Sequence, residues 1–156
     1  CASYCEEYGV DSVIVRPCHI YGPGFTDTDS RVFAQFLRNA KRGEDIVMKS
    51  DGQQFRSWCY VVDCVAAILV VLLNGHSGEA YNIASPGSSV TIKQLAEIIA
   101  RTGGTSVVIK NPTDIEKKGF NVVSKSVFSV EKLRSLGWSN MFSLEEGIAE
   151  TLAEIS

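Results

Sequence analysis

The stretch SVIVRPCHIYGPG occupies residues 12–24 and joins a short apolar run to a segment rich in glycine and proline. The apolar run 12–15 predicts a buried strand, since a continuous apolar segment bounded by turn residues is typical of parallel sheets. The segment after it carries Cys18, His19 and Tyr21. Open α/β sheets bind ligands at the carboxyl ends of their strands, so this junction is a candidate binding site. A proline-rich turn around a core tyrosine is the alternative interpretation.

Strand and helix signals alternate on both sides of this stretch, which favours an α/β fold. Residues 1–8 predict the end of a helix, and residues 18–30 predict a long loop. Further strands are predicted over 45–49, 55–62, 79–84 and 105–110, and further helices over 31–42, 64–73, 92–101, 130–137 and 144–155. The predicted N-caps of the last four helices are Asp63, Thr91, Ser129 and Ser143. The helix over 64–73 is apolar nearly all round, which predicts that it is buried.

Composition excludes several classes of function. The chain of 156 residues has a net charge of −3, from 15 basic and 18 acidic residues, so it offers no broad basic surface for nucleic acid. The longest apolar stretch, 65–73, is far shorter than the roughly 20 residues that span a bilayer. The sequence therefore predicts neither a nucleic-acid partner nor a membrane segment.

The five cysteines suit a reducing, cytoplasmic environment, because their number is odd and no C-x-x-C motif occurs. Cys1 and Cys5 would share a helix face, but no histidine or carboxylate at ligand spacing completes a metal site, so we expect no metal. The chain begins with Cys1 in place of a methionine, and we expect it to be a piece of a longer protein.

Two further segments could bind an anion. In the stretch DGQQFRSW, residues 51–58, a turn leads into a strand that places Arg56 and Trp58 on one face. A guanidinium beside an aromatic ring suits a phosphate and a flat ring, although a surface arginine lying over an exposed tryptophan is equally consistent. The second segment holds Lys117 and Lys118, for which ordinary solvation is the alternative. No G-x-S-x-G or H-E-x-x-H motif occurs, so the residues alone assemble no catalytic set.

The order of several short motifs resembles the C-terminal half of the extended short-chain dehydrogenase/reductases, the NAD-dependent nucleotide-sugar epimerases, dehydratases and decarboxylases. The matching pieces, which cover essentially the whole chain, are Tyr8-Gly9-Val10, Arg16-Pro17, Tyr21-Gly22-Pro23-Gly24, Gly52 with Arg56, Tyr60-Val61-Val62-Asp63, Tyr81-Asn82-Ile83-Ala84, Leu136-Gly137-Trp138 and Leu144-Glu145-Glu146-Gly147. The resemblance implies the C-terminal part of a Rossmann-like, doubly wound domain plus a small α/β substrate-binding domain. Residues 1–24 and about 55–84 would belong to the first, and about 25–54 and 85–156 to the second.

The resemblance also implies roles for particular residues. Arg56 stands at the family's diphosphate-binding arginine, Trp58 at the aromatic beside it, and Val47 and Met48 in the strand that lines the base. Arg31 opens the helix after the substrate loop, and Pro17 lies where the backbone approaches the nicotinamide of NAD. Two positions depart from the family. His19 replaces a substrate-contacting asparagine, and Lys118 stands in a loop where the family has an arginine.

The family's NAD-binding glycine loop and its catalytic Tyr-x-x-x-Lys pair have no counterpart in these 156 residues. We therefore expect no catalytic residue here, and expect the chain to bind the UDP- or dTDP-sugar substrate of an NAD-dependent epimerase or dehydratase. The alternative is a noncatalytic sugar-nucleotide-binding or protein-interaction module. Unpaired sheet edges would invite a second copy of the chain, so we also expect a homodimer.

Overall fold

The computed structural model describes residues 2–110, Pro112 and residues 123–155. The strands of this part of the chain are β1 (Ile14–Pro17), β2 (His19–Tyr21), β3 (Ile46–Met48), β4 (Phe55–Tyr60), β5 (Ala80–Ile83), β6 (Ser89–Thr91), β7 (Val107–Ile109) and β8 (Lys125–Ser126). The helices are α1 (Ala2–Tyr8), α2 (Val32–Lys41), α3 (Val61–Asn74), α4 (Ile92–Gly103), α5 (Glu131–Arg134) and α6 (Leu144–Glu154). None of these helices is long and apolar enough to cross a membrane.

The strands pair mainly in parallel, as the alternation of elements predicts. β1 pairs with β5 and β3 pairs with β7, both in parallel. The longest strand, β4, pairs in parallel with β2 and β8 and antiparallel with β6. Parallel neighbours need a crossover connection, which the helices between them supply. The chain therefore has a mixed α/β fold of Rossmann-like type.

Strand β4 separates two apolar clusters, because successive side chains of a strand point to opposite faces. Trp58 and Tyr60 belong to the first cluster, which α2, α4 and α6 complete. Cys59 belongs to the second, together with residues of α3, β5 and α5 and with Trp138. Val130, Leu133 and Trp138 thus pack beside the β1–β5 sheet, although they come late in the chain. The division into two domains stays a prediction.

Two of the four predicted helix caps are confirmed. Thr91 accepts a hydrogen bond from the Gln94 amide, and the Gln94 side chain returns one to the Thr91 backbone, a capping box. Ser143 and Glu146 form the same arrangement at α6. Both caps lie within four residues of sequence, which is why the sequence reveals them.

The caps predicted at Asp63 and Ser129 are wrong. Helix α3 begins at Val61, so Asp63 lies in its first turn, fully buried. Its carboxylate accepts hydrogen bonds from the backbone N–H groups of Met141 (2.7 Å) and Phe142 (3.3 Å). Ser129 precedes the N-cap position of α5, and its carbonyl accepts a bond from the Asn82 side chain. Partners distant in sequence determine both positions.

The predicted loop over 18–30 begins with an additional strand. Residues His19–Tyr21 form β2 and pair with Trp58–Tyr60 of β4. Glycine and proline around this segment indicate a loop, but strand formation here depends on a partner almost 40 residues away. Tyr21 is a core tyrosine, with its hydroxyl donating to the Leu144 carbonyl at 3.2 Å.

The prediction that the helix over 64–73 is buried all round is wrong. Small residues of α3 (Cys64, Ala67 and Val71) face the core, and its larger residues face outward. Leu72 and Leu73 are 66% and 79% exposed. The outer face also includes Val62, Val65, Ile68 and Leu69. No element of the described residues covers this face, and we refer to it below as the outer α3 face.

Candidate functional site

A cavity of about 400 Å³ brings together most of the residues that the sequence singles out. His19, Val47, Met48, Arg56 and Trp58 all line it. The other lining residues are Val32, Gln35, Phe36, Lys49, Ser50, Gln54 and Ile92. These residues come from β2, α2, β3, β4 and the start of α4, so the fold assembles the cavity from distant segments. We call it the main cavity.

Strand pairing positions one wall of the main cavity. His19 on β2 lies opposite Trp58 on β4, and their ring centroids are 5.2 Å apart. Arg56 precedes Trp58 by two residues and therefore lies on the same face of the strand. The predicted pairing of Arg56 with Trp58 on one face is consistent with their shared cavity.

Strand β3 supplies another wall of the main cavity. Gly52, which follows this strand, allows the chain to pack closely against the start of α4. Gly52 has φ +66°, a conformation that glycine adopts without strain. Its carbonyl accepts a hydrogen bond from the Lys93 amide at 3.0 Å, and a side chain at this position would collide with Met48 and Lys93. The close packing at Gly52 therefore holds β3 against the start of α4, beside the cavity.

Arg56 is buried, being only 5% exposed, and so is Trp58 at 1%. The interpretation of a surface arginine over an exposed tryptophan is therefore wrong. The Arg56 guanidinium donates to the carbonyls of Phe55 (3.0 Å) and Val123 (2.6 Å). Within the described part of the chain, no carboxylate forms an ion pair with it. In the described part of the chain the guanidinium is thus held by neutral carbonyls, and an anion in the cavity would be attracted to it.

The positive charge of Arg56 acts on the titratable side chain of His19. Partial burial lowers its pKa, and so does the positive charge of Arg56, while a hydrogen bond with the Ser57 backbone acts in the opposite direction. The imidazole is therefore held toward its neutral form, which can both donate and accept a hydrogen bond.

Arg31 lines a second cavity of about 390 Å³, which shares His19, Val32 and Trp58 with the main cavity. Arg31 is the N-cap residue of α2, so the prediction that it opens this helix is confirmed. Its Nε donates to both carboxylate oxygens of Asp29 at 3.0 Å, which lowers the pKa of Asp29 to about 2. The guanidinium also lies 4.7 Å from the Phe33 ring centroid. Arg31 is thus held in place by its ion pair with Asp29.

Of the two remaining predicted site residues, Pro17 lies outside both cavities and Lys118 is not among the described residues. Pro17 ends β1 opposite Ile83 and lines neither cavity, although its neighbour Cys18 lines the second one. Lys118 lies outside the described residues. Among the residues that are described, no group of His, Cys, Asp or Glu is arranged to hold a metal ion.

Sequence reasoning missed several lining residues. Gln35 and Phe36 lie on α2, and Lys49, Ser50 and Gln54 flank the turn around Gly52. Phe36 lies on the apolar face of an amphipathic helix, and this pattern predicts a core residue, not a residue of a binding site. The polar residues carry no local signal, since their place in the cavity depends on how β3 and α2 pack around β4.

Comparison with known proteins gives consistent matches. UDP-glucuronic acid decarboxylase 3 of Arabidopsis thaliana is 32% identical over 148 residues, covering 93% of this chain and 41% of that protein. The UDP-glucose 4-epimerase of Thermotoga maritima, solved with UDP-glucose, superposes with a TM-score of 0.82 at 30% identity, covering 97% of this chain and 48% of that one. The dTDP-glucose 4,6-dehydratase of Streptomyces venezuelae, solved with NAD bound, gives 0.78 at 28% identity, covering 97% and 46%.

The chain spans less than half the length of each of these proteins. The model of the NAD dependent epimerase/dehydratase family matches residues 1–84, which is more than half of the 156 residues. The same segment contains every predicted site residue except Lys118. The resemblance found in the sequence is confirmed, and the chain belongs to the NAD dependent epimerase/dehydratase family.

Proposed function

We propose that this chain forms the nucleotide-sugar-binding portion of an NAD-dependent nucleotide-sugar epimerase or dehydratase, with a UDP- or dTDP-sugar as substrate. The observation that carries the proposal is the buried guanidinium of Arg56, which faces a cavity and lacks an acidic partner in the described residues. The family membership and the UDP-glucose in the Thermotoga maritima structure support it.

Each wall of the main cavity has a part in this proposal. Arg56 donates its bidentate fork to the diphosphate, a geometry that lysine cannot reproduce. Trp58 supplies a flat apolar surface beside it, and Val47 and Met48 pack against the base. His19 takes over the substrate contact of the family's asparagine. Lys118 and Arg31 are the further cations that we assign to the substrate side.

The residues fit only one edge of the NAD cofactor. Pro17 ends β1, and the adjacent Cys18 lines the second cavity, which suits contact with a nicotinamide. The first turns of α4 and α6 are closed by their capping boxes, and that of α3 holds the Asp63 carboxylate, which would repel a pyrophosphate. When bound, NAD supplies hydride acceptance from the sugar; this chain contributes substrate binding and orientation.

We also propose a homodimer, because the outer α3 face and the edges of the β1–β5 pair that no other described strand covers suit a protein surface better than water. The cytoplasm is the proposed location because of the cysteine pattern. The second candidate function is a noncatalytic sugar-nucleotide-binding or protein-interaction module. The exposed apolar α3 face favours it, since such faces are typical of interaction surfaces. A coding sequence that continues upstream with a glycine-rich loop and Tyr-x-x-x-Lys would decide for the enzyme.

The proposal is tested by titrating UDP and dTDP against wild type and three variants. We expect Arg56→Lys to weaken binding about ten- to a hundredfold, which corresponds to the roughly 1.5–3 kcal/mol of a charge-assisted hydrogen bond. Lys118→Ala should cost less, since a lysine gives only a point charge. Arg101→Lys is the control, because Arg101 is exposed on α4 and pairs only loosely with Glu145 at 3.9 Å. Wild-type affinity in Arg56→Lys, or a larger loss in Lys118→Ala, would contradict the assignment.

A further inference from the structure

His19 lies at the boundary between the two cavities. It lines both of them, together with Val32 and Trp58, so a ligand that extends from one cavity to the other must pass its imidazole. More than a third of its surface is exposed, so the ring is open to a ligand and is held against Trp58 at 5.2 Å between ring centroids. The position makes His19 a contact residue for whatever occupies both cavities.

The charges around His19 are positive. Arg56 acts on it from β4, and Arg31, which is paired with Asp29, lies at the start of α2 beside the second cavity. No aspartate or glutamate is found among the described lining residues of either cavity. The uncharged thiol of Cys18 is adjacent, and burial raises its pKa.

Helix α3, which also packs on β2, brings no negative charge to His19. Its Asp63 carboxylate is turned to the Met141 and Phe142 amides, and its Cys64 belongs to the second apolar cluster. An imidazolium at this position would therefore meet the positive charge of Arg56, whereas the charge of Arg31 is balanced by the Asp29 carboxylate.

We propose that a nucleotide sugar binds in these cavities together with a proton on His19, so that its affinity rises as the pH falls. The identity of the ligand rests on the proposed function, whereas the proton uptake is a property of His19 and its surroundings.

The sign follows from the change in charge on binding. Without a ligand, partial burial and the charge of Arg56 lower the pKa of His19. A diphosphate offsets the charge of Arg56 and accepts a hydrogen bond from the imidazolium, so the pKa of His19 is higher in the complex. Binding therefore takes up a proton between the two pKa values. Because the coupling is reciprocal, the added affinity is fully present at a pH below the pKa of His19 in the ligand-free protein. It is lost as the pH rises through the pKa of His19 in the complex.

The experiment measures binding of UDP-glucose and dTDP-glucose by calorimetry from about pH 5.5 to about pH 8, the range in which histidine titrates. Both phosphates of these ligands are esterified, so the ligands themselves do not change charge in that range. We expect roughly tenfold tighter binding at the low end, the difference between a charged and a neutral hydrogen-bond donor. Repeating the titration in buffers of different ionisation enthalpy should show uptake of up to one proton.

His19→Asn should abolish the proton uptake and bind with one affinity across the range. His76→Asn is the matched control, because His76 is the second of the two histidines and is exposed in the turn after α3. It should behave as wild type does. Binding without proton uptake in wild type, or uptake that persists in His19→Asn, would overturn the inference and leave the proposed function intact. Failure of wild type to bind either ligand at any pH would overturn both.

Discussion

At the scale of the residue, Asp63 shows how one buried carboxylate joins distant parts of the chain. Asp63 lies in the first turn of α3, and its carboxylate accepts two backbone hydrogen bonds from the segment just before α6. Charged hydrogen bonds of this kind contribute more than neutral ones, and removing the acceptor leaves two amides without partners. The residue therefore has a structural role that its position near a helix start does not reveal.

We expect Asp63→Ala to lower the free energy of unfolding by about 3 kcal/mol, since it removes a buried carboxylate and leaves two part-buried amides without that acceptor. Chemical denaturation measures this change. Asp45→Ala is the matched control, because Asp45 is exposed and accepts one bond from the Ser106 amide at 3.1 Å. It should cost under about 1 kcal/mol. Equal losses in the two variants would show that Asp63 acts as an ordinary surface acceptor.

At the scale of the element, the N-terminus of α4 forms one end of the main cavity, so its capping affects the position of the cavity wall. Thr91→Ala should lower the free energy of unfolding by about 1 kcal/mol, the usual value of a lost N-cap. Thr102→Ala in the same helix should cost little or nothing, since Thr102 is exposed and merely bonds back to the Ile98 carbonyl at 2.9 Å. A neutral Thr91→Ala would indicate that the Gly52 and Gln54 carbonyls, which accept from Lys93 and Ile92, suffice to fix this helix end.

The same elements show what the sequence can predict. Thr91 and Ser143 were predictable because their capping partners lie three residues away. The existence of β2 and the orientation of α3 were not, since they depend on β4 and on the sheet beneath the helix. In α3 the apolar character is nearly uniform, so no periodic pattern marks the face that packs inward.

At the scale of the whole molecule, the outer α3 face predicts self-association. Sedimentation should show a concentration-dependent dimer, and Leu69→Glu with Leu72→Glu should shift it toward the monomer, because burying a carboxylate in an apolar interface is costly. Ile109→Glu is the control, since Ile109 is 57% exposed on β7, away from this face. A monomer at high concentration, or an Ile109→Glu effect as large as that of the α3 variants, would argue against dimerisation through α3.

The absence of a glycine-rich phosphate loop from the 156 residues predicts that this chain alone is catalytically silent and binds NAD weakly. The measurement is absorbance of reduced cofactor after the chain is mixed with NAD and UDP- or dTDP-sugars. We expect no signal above the protein-free reaction. NAD reduction that depends on the chain would contradict this prediction and would place a complete active site within it.

The candidate site was partly predictable at this scale. The end of the first strand pointed to His19, Arg56 and Trp58 share a strand face through the period of two, and the family resemblance added Val47 and Met48. Gln35, Lys49 and Gln54 were missed, because only the packing of α2 and β3 around β4 brings them to the cavity. The role of Lys118 in substrate binding stays a prediction.

The proposed function requires that the main cavity, with Trp58 in its wall, receives the nucleotide sugar. The chain has two tryptophans, of which Trp58 lines this cavity and Trp138 lies in the second apolar cluster. Fluorescence titration with UDP-glucose and dTDP-glucose tests the claim most directly in the two single-tryptophan variants. We expect a saturable change in Trp138→Phe, where Trp58 is the remaining tryptophan, and none in Trp58→Phe. A change that follows Trp138, or no saturable change in either variant, would contradict it.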